Sequence, residues 1–455
     1  MIRLFCFSLL VLGSLFPAFA QRPTLIVTTD IGQDPDDQQS MVRLLHYANE
    51  FQLAGLIANA DANYADREPP ELRDSLLHQL IDAYAEILPN LQQHDPRYPS
   101  AASLHALVKK GCEGNGRKVP VGQYVGKGFD TEGSEWIIQV VQSQPGPICV
   151  AIWGGACDLA QALWKARATL SPAEFQQFVQ KLRVYFIGKQ DSSNEWILQE
   201  FPELWVILAL HPEGNSWRSS YRGMFLQGDE SLTSLAWLEA NVLGKNPLGD
   251  LYPTKAHTGV HNALKEGDTP SMLFFLNQGL NLWQQPELGG WGGRFQPEGT
   301  HRYVDVTDPY PNSQSDTVVH SALASVYRWR EAFQRDFANR IAWGSSTFAE
   351  ANHAPLALLQ GFPQSGPIRI QAQAGSTIQL DASASLDLEG DALQFRWYQY
   401  PERLPEWDVK GDQAQLSLTL PAEVPSETLL SLVLEIEDDG ALPLIGYRRV
   451  LVEVE

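Results

Sequence analysis

Short apolar runs recur along the first half of the chain, and helical spacing follows several of them. The runs are Leu25-Ile26-Val27-Thr28-Thr29, Leu53 to Ala58, Ile148 to Trp153, Leu182 to Ile187 and Trp205 to Leu210. Met41, Leu44, Leu45 and Ala48 fall on one helical face after the first run. Leu72, Leu76, Leu77, Leu80, Ile81, Tyr84 and Leu88 do so after the second, and Leu159 to Trp164 after the third. A strand that is apolar at every position is covered on both faces. Its alternation with amphipathic helices is the pattern of an α/β domain, a mostly parallel sheet flanked by helices. Ala322, Val326, Trp329 and Phe333 share a face and predict one long closing helix over 315–343.

Beyond about residue 350 the period changes. Ile368-Arg369-Ile370, Thr377 to Leu380, Leu393 to Tyr398, Leu416 to Leu420, Leu430 to Ile436 and Tyr447 to Val454 read as short strands. Turn signals such as Glu389-Gly390-Asp391 separate them, which predicts a C-terminal all-β sandwich. The expected division is an α/β domain over 21–346, a linker over 347–364 and the sandwich over 365–455.

Residues 1–20 carry Arg3, an apolar run from Leu4 to Phe16, and Ala18-Phe19-Ala20. A short basic start, an apolar stretch and a small-x-small end describe a secretory signal peptide, shorter than the ~20 apolar residues of a membrane span. Export to the periplasm or beyond is expected. Three cysteines then remain, Cys112, Cys149 and Cys157, too few for a disulfide scaffold. A Cys149–Cys157 bridge is open to such a chain; buried free thiols are the plainer reading. Lys and Arg total 33 against 54 Asp and Glu, a formal charge of −21. That excess of acid argues against a nucleic-acid polymer as partner.

The segment after the first strand is Thr28-Thr29-Asp30-Ile31-Gly32-Gln33-Asp34-Pro35-Asp36-Asp37. It falls where a strand ends and a helix begins, and parallel sheets place their sites outside the carboxyl ends of strands. Capping of the helix explains one aspartate; Asp30, Asp34, Asp36 and Asp37 together repel one another unless a cation lies among them. An oxygen-only set suits Ca²⁺ or Mg²⁺, and the spacing is not that of an EF-hand. Among 13 tryptophans, Trp153 and Trp291 are flanked by glycines and are candidates to stack on a sugar or base.

Asp30-Ile31-Gly32 followed by Asp36-Asp37 resembles the fingerprint of the nucleoside hydrolases. The longer string through Gln38-Gln39-Ser40 is more similar to an exported bacterial branch described as nucleoside-hydrolase-like, cellulose-binding proteins. Trp153-Gly154-Gly155, Gln190-Asp191, Glu200-Phe201-Pro202, Tyr221-Arg222-Gly223-Met224, Glu266-Gly267-Asp268-Thr269-Pro270-Ser271 and Gly289-Gly290-Trp291-Gly292-Gly293 agree with that branch. The sandwich resembles PKD- or cadherin-like modules.

The resemblance implies a Ca²⁺-dependent hydrolase of N-ribosyl-type glycosidic bonds. It makes Asp30 a metal ligand and the acceptor of a proton from water. Asp37 is a second ligand, Asp268 the late ligand that returns to the metal, and Asp36 a sugar contact. Asn63 and Asn194 match sugar-contacting asparagines more loosely. Three departures stand out. Two extra residues separate Asp30 from the Asp36-Asp37 pair, which makes Asp34 an added acid and an added candidate ligand. Thr28 stands where the family carries a further aspartate. No histidine precedes Asp268, so the usual leaving-group acid is missing; His257 and His261 lie nearby in sequence.

A carbohydrate-binding protein that kept the fold and lost turnover is therefore the alternative. A haloacid-dehalogenase-like phosphatase fits less well, because Ile31-Gly32 follows Asp30 where that chemistry needs an aspartate two residues on. The expected partners are a nucleoside or carbohydrate, a polysaccharide included, with an oligomer allowed and no membrane span.

Overall fold

The computed structural model describes residues 22–32, 34–60, 72–114, 116–254, 263–311, 317–362, 366–402, 409, 411–424 and 428–455. The signal segment, Asn63, His257 and His261 lie outside the described residues.

Eight strands form the main sheet: β1 (Thr24–Thr29), β2 (Gln52–Ala58), β3 (Val108–Lys110), β4 (Ile148–Ile152), β5 (Leu182–Phe186), β6 (Trp205–Leu208), β7 (Phe295–Pro297) and β8 (Arg302–Asp305). Their order is β3-β2-β1-β4-β5-β6-β8-β7, and the β7–β8 pair is antiparallel while the others are parallel. Alternate residues feed opposite layers. Leu25, Val27, Ala151 and Tyr185 join one apolar cluster; Ile26, Val150, Ile152 and Val184 join the other. Both faces are thus buried, which is why the runs are apolar without a break.

The chain builds β2 and β3 on one side of β1, then crosses to place β4 on the other. β1 and β4 are neighbours from which successive connections diverge. The crevice at such a switch point is where α/β sheets bind ligands. The helix α1 (Pro35–His46) follows β1, and α2 (Asp74–His94) follows β2.

The closing segment departs from expectation. Val318–Ser321 is a strand, β10, paired antiparallel with β9 (Asp308–Pro311), and helix begins only at Ala324. The helices Ala324–Tyr327 and Arg330–Trp343 are separated at Trp329, whose φ of −99° and ψ of 0° are not helical. The β-branched Val318 and Val319 pair across the hairpin instead of continuing a helix.

The C-terminal strands are β11 (Ile368–Ala372), β12 (Thr377–Asp381), β13 (Gln394–Gln399), β14 (Gln415–Thr419), β15 (Leu429–Glu437) and β16 (Ile445–Val454). They make a four-stranded sheet, β11-β16-β15-β13, and a two-stranded sheet, β12-β14, around their own apolar cluster. The outer face of the larger sheet is buried too. Tyr400, Val433 and Tyr447 belong to the α/β domain's cluster. Arg449, fully buried on β16, donates from Nε to the Leu280 carbonyl at 2.7 Å and from Nη2 to the Gly289 carbonyl at 3.0 Å. The three cysteines are buried thiols. Among the described residues no helix is long and apolar enough to cross a membrane.

Candidate functional site

A cavity of about 810 Å³ opens at the carboxyl ends of β1, β4, β5 and β6. Five aspartates line it: Asp30, Asp34, Asp36, Asp37 and Asp268. Asp30 follows β1 directly. The turn behind it needs Gly32, whose φ is +102° and whose Cβ would lie 2.6 Å from Arg73 Cδ. Arg73 donates to the Gly32 carbonyl and holds the turn down. Gly154, after β4, gives Asp30 its room: a Cβ there would lie 2.7 Å from the Asp30 Cγ and 3.0 Å from Asn59 Oδ1.

Asp36 and Asp37 stand in the first turn of α1, behind Pro35 at its start. Asp34 occupies the N-cap position but makes no capping bond. Its Oδ2 pairs with the ammonium of Lys265, while its Oδ1 is buried without a partner among the described residues. Lys265 also reaches Asp36 Oδ2 at 3.3 Å. Asp37 accepts from the Thr29 hydroxyl, which ties the helix start to the strand end.

Asp268 stands 231 residues after Asp37 in sequence and is brought in because α1 holds its segment. Gln39 Oε1 accepts from the Lys265 and Glu266 amides at 2.8 and 3.1 Å. Arg43 pairs with Glu266, whose other contacts are Tyr252 Oη at 2.6 Å and Thr269 Oγ1 at 2.8 Å. Asp36, Asp37 and Asp268 each present an oxygen within 4.8 Å of the others. Asp30 lines the same cavity outside that trio.

The electrostatics of the trio are unfavourable as it stands. Burial raises the Asp268 carboxyl well above its ordinary range, and the charges of Asp37 and Asp36 raise it further. Burial also raises Asp36, with Lys265 opposing and Asp34 adding. Burial alone lowers the Lys265 ammonium, yet Asp36 and Asp34 outweigh it and the net shift is upward. Asp268 Oδ2 is buried with no hydrogen-bond partner among the described residues. An orphaned carboxylate oxygen facing two more, in an all-oxygen set, fits a hard divalent cation.

Other expected site residues are distributed as follows. Trp153 lines the cavity while fully buried; its Nε1 donates to Ser271 Oγ at 2.8 Å and its carbonyl accepts from Gln190. Asn194 stands elsewhere, as a cap: its Oδ1 accepts from the amides of Gln190 at 2.9 Å and Asp191 at 3.1 Å, at the start of the helix Ser192–Glu200. Trp291 is also elsewhere, 3% exposed, with ring centroids 6.2 Å from Phe333 and 5.9 Å from Tyr447. Its flanking glycines serve packing: a Cβ on Gly292 would lie 2.3 Å from the Phe274 nitrogen.

Two site residues escape the sequence reading. Asn59, at the end of β2, donates to the Gly155 carbonyl at 2.9 Å and keeps a buried Oδ1 that is unpartnered among the described residues. Lys265 supplies a cation inside the acid cluster, and its place just before Glu266-Gly267-Asp268 was the available signal.

The sheet order, with its acids gathered at the switch point, defines a nucleoside-hydrolase-like fold carrying a β-sheet module. Residues 24–295 match the family described as cellulose-binding Sde182, nucleoside hydrolase-like domain, and residues 377–454 match the C-terminal domain of cellulose-binding protein Sde0182. The chain belongs to this Sde182 family of nucleoside-hydrolase-like proteins. A solved nucleoside hydrolase-related protein from Saccharophagus degradans, associated with carbohydrate metabolism, is 30% identical over 96% of this chain and 100% of its own, with a TM-score of 0.78. The inosine-uridine preferring nucleoside hydrolase of Bacillus anthracis is 12% identical over 71% of this chain and 100% of its own, with a TM-score of 0.37. No curated protein matches the chain.

Proposed function

We propose that the protein is an exported, Ca²⁺-dependent hydrolase of glycosidic bonds of the N-ribosyl type. The observation that carries this reading is the buried Oδ2 of Asp268, without a partner among the described residues and set among the oxygens of Asp36 and Asp37. Asp36, Asp37 and Asp268 would hold the cation, with Asp30 and Asp34 lining the same cavity. A bound divalent ion supplies an acidified water at neutral pH. Asp30, beside Gly154 on the cavity wall, would serve as the proton acceptor there. Cleavage of the bond builds positive charge on the sugar ring, and the anionic wall of the cavity stabilises that charge. The Arg3 start, the apolar run and Ala18-Phe19-Ala20 support export.

The test is the Asp30→Asn variant in purified protein, with Ca²⁺ binding and release of base or sugar both measured. Loss of hydrolysis with the metal site retained supports the reading. Hydrolysis unchanged in Asp30→Asn overturns it.

Two observations favour a second reading, a carbohydrate-binding protein without turnover. Lys265 neutralises part of the acid cluster, and among the described residues no histidine lines the cavity to protonate a leaving group. Retention on insoluble cellulose, with no turnover of nucleosides or glycosides, supports that reading.

A further inference from the structure

The cavity that gathers the acids is also lined by two arginines that the hydrolysis of a neutral sugar does not use. Arg117 and Arg222 both line the cavity. Each is anchored through Nε alone, Arg117 to the Gln190 carbonyl at 3.1 Å and Arg222 to the Ser216 carbonyl at 2.8 Å. Among the described residues neither forms an ion pair, although Asp and Glu outnumber Lys and Arg by 54 to 33 in the chain. The Nη pairs of both guanidiniums are thus left for a ligand. Arg222 is further oriented by aromatic faces, its Cζ 4.2 Å from the Trp217 ring centroid and 5.1 Å from that of Tyr221.

Tyr221 stands near both Arg222 and the acids. A Cβ on Gly267 would lie 3.6 Å from Tyr221 Cδ2 and 3.4 Å from Asp36 Oδ2. The tyrosine ring thus packs beside both the guanidinium and Gly267, the neighbour of Asp268. A neutral sugar would satisfy the acidic pole and leave the arginine forks to water. A planar, pre-oriented guanidinium with its Nη pair free is matched to a carboxylate or phosphate, which it grips with two parallel hydrogen bonds.

We propose that the cavity takes a sugar bearing an oxyanion, phosphate or carboxylate, with the anion on Arg117 and Arg222 and the sugar ring turned toward Asp36, Asp37 and Asp268. This rests on the reading of the cavity as a sugar site and adds the substrate class. The dipolar cavity also orients the ligand, since the reversed pose sets the anion against the aspartates.

Calorimetric titration of the full chain in Ca²⁺ tests it, with ribose against ribose 5-phosphate and glucose against glucuronate. At least one anionic sugar should bind about tenfold more tightly than its neutral partner, one charge-assisted contact being enough for that factor. The phosphate and carboxylate arms tell the two oxyanions apart. In the Arg117→Gln/Arg222→Gln double variant the advantage should fall below threefold while affinity for the neutral sugar stays the same. Equal affinity for charged and neutral sugars overturns the proposal and leaves the sugar site standing. An advantage that survives in the double variant also overturns it, because the metal then holds the anion. If no sugar binds, this proposal and the reading beneath it fall together.

Discussion

Arg43 of α1 and Glu266 form a fully buried, two-pronged ion pair, Nε to Oε2 at 2.5 Å and Nη2 to Oε1 at 3.0 Å. The same helix carries Asp36 and Asp37, and the same loop carries Asp268. The pair therefore sets the distance between the two halves of the acid trio. Glu266→Gln leaves the Arg43 charge uncompensated and should cost about 3–5 kcal/mol of stability. Denaturant unfolding measures it; a loss under about 1 kcal/mol would mean that Gln39 and the Lys265 pairs hold the loop without it.

Lys265 competes with any cation for Asp36. Its removal in Lys265→Met takes a positive charge from the edge of the trio, which should tighten divalent-ion binding by roughly tenfold, about 1–2 kcal/mol at the effective dielectric of such sites. Calorimetric titration with Ca²⁺ is the measurement. Weaker binding would instead make Lys265 a positioning residue for Asp36.

Gly154→Ala places a methyl 2.7 Å from the Asp30 Cγ. The aspartate must swing away, so turnover or sugar affinity should fall at least tenfold while the melting temperature moves by only a few degrees. Kinetics and a thermal melt on the same sample separate the two effects.

His46 gives a pH dependence. It is fully buried, its Nδ1 lies 2.8 Å from the Val42 carbonyl, and burial pushes its pKa from 6.5 down to about 4 against that carbonyl's opposing pull. The folded state therefore favours the neutral ring. This contribution is complete above pH 6.5 and is lost as the pH falls toward 4, a change of about 3 kcal/mol. Stability measured across that window should fall more steeply in the wild type than in His46→Gln.

Trp291 is buried between the helix Arg330–Trp343 and β16, through Phe333 and Tyr447. Trp291→Ala should cost about 3–5 kcal/mol by leaving a cavity there. Sugar affinity should be unchanged at temperatures where the variant is folded, as isothermal titration would register.

The six sandwich strands and five of the sheet strands stand within one or two residues of where their apolar patterns put them, because burial on one or both faces writes directly into residue type. β3, with two lysines among its three residues, and β8, with Arg302 and Asp305 at its ends, carry no such pattern and are made strands by their neighbours. The acids after β1 were legible for a local reason: charge repulsion within eight residues is a property of the sequence itself. Lys265 and Asn59 were not, since each matters only through the partner that folding brings to it. Trp291 shows the converse, glycines on both sides being equally suited to a ligand and to a tightly packed backbone.

Arg449 reaches out of β16 to bind the carbonyls of Leu280 and Gly289 in the other domain, and Tyr447 beside it shares that domain's apolar cluster. The appended module is thus joined to the α/β domain by buried polar and apolar contacts. If its outer strands grip a polymer, the mouth of the cavity keeps one fixed heading toward that surface. The reach of the protein is then a matter of molecular shape, set when the chain folds.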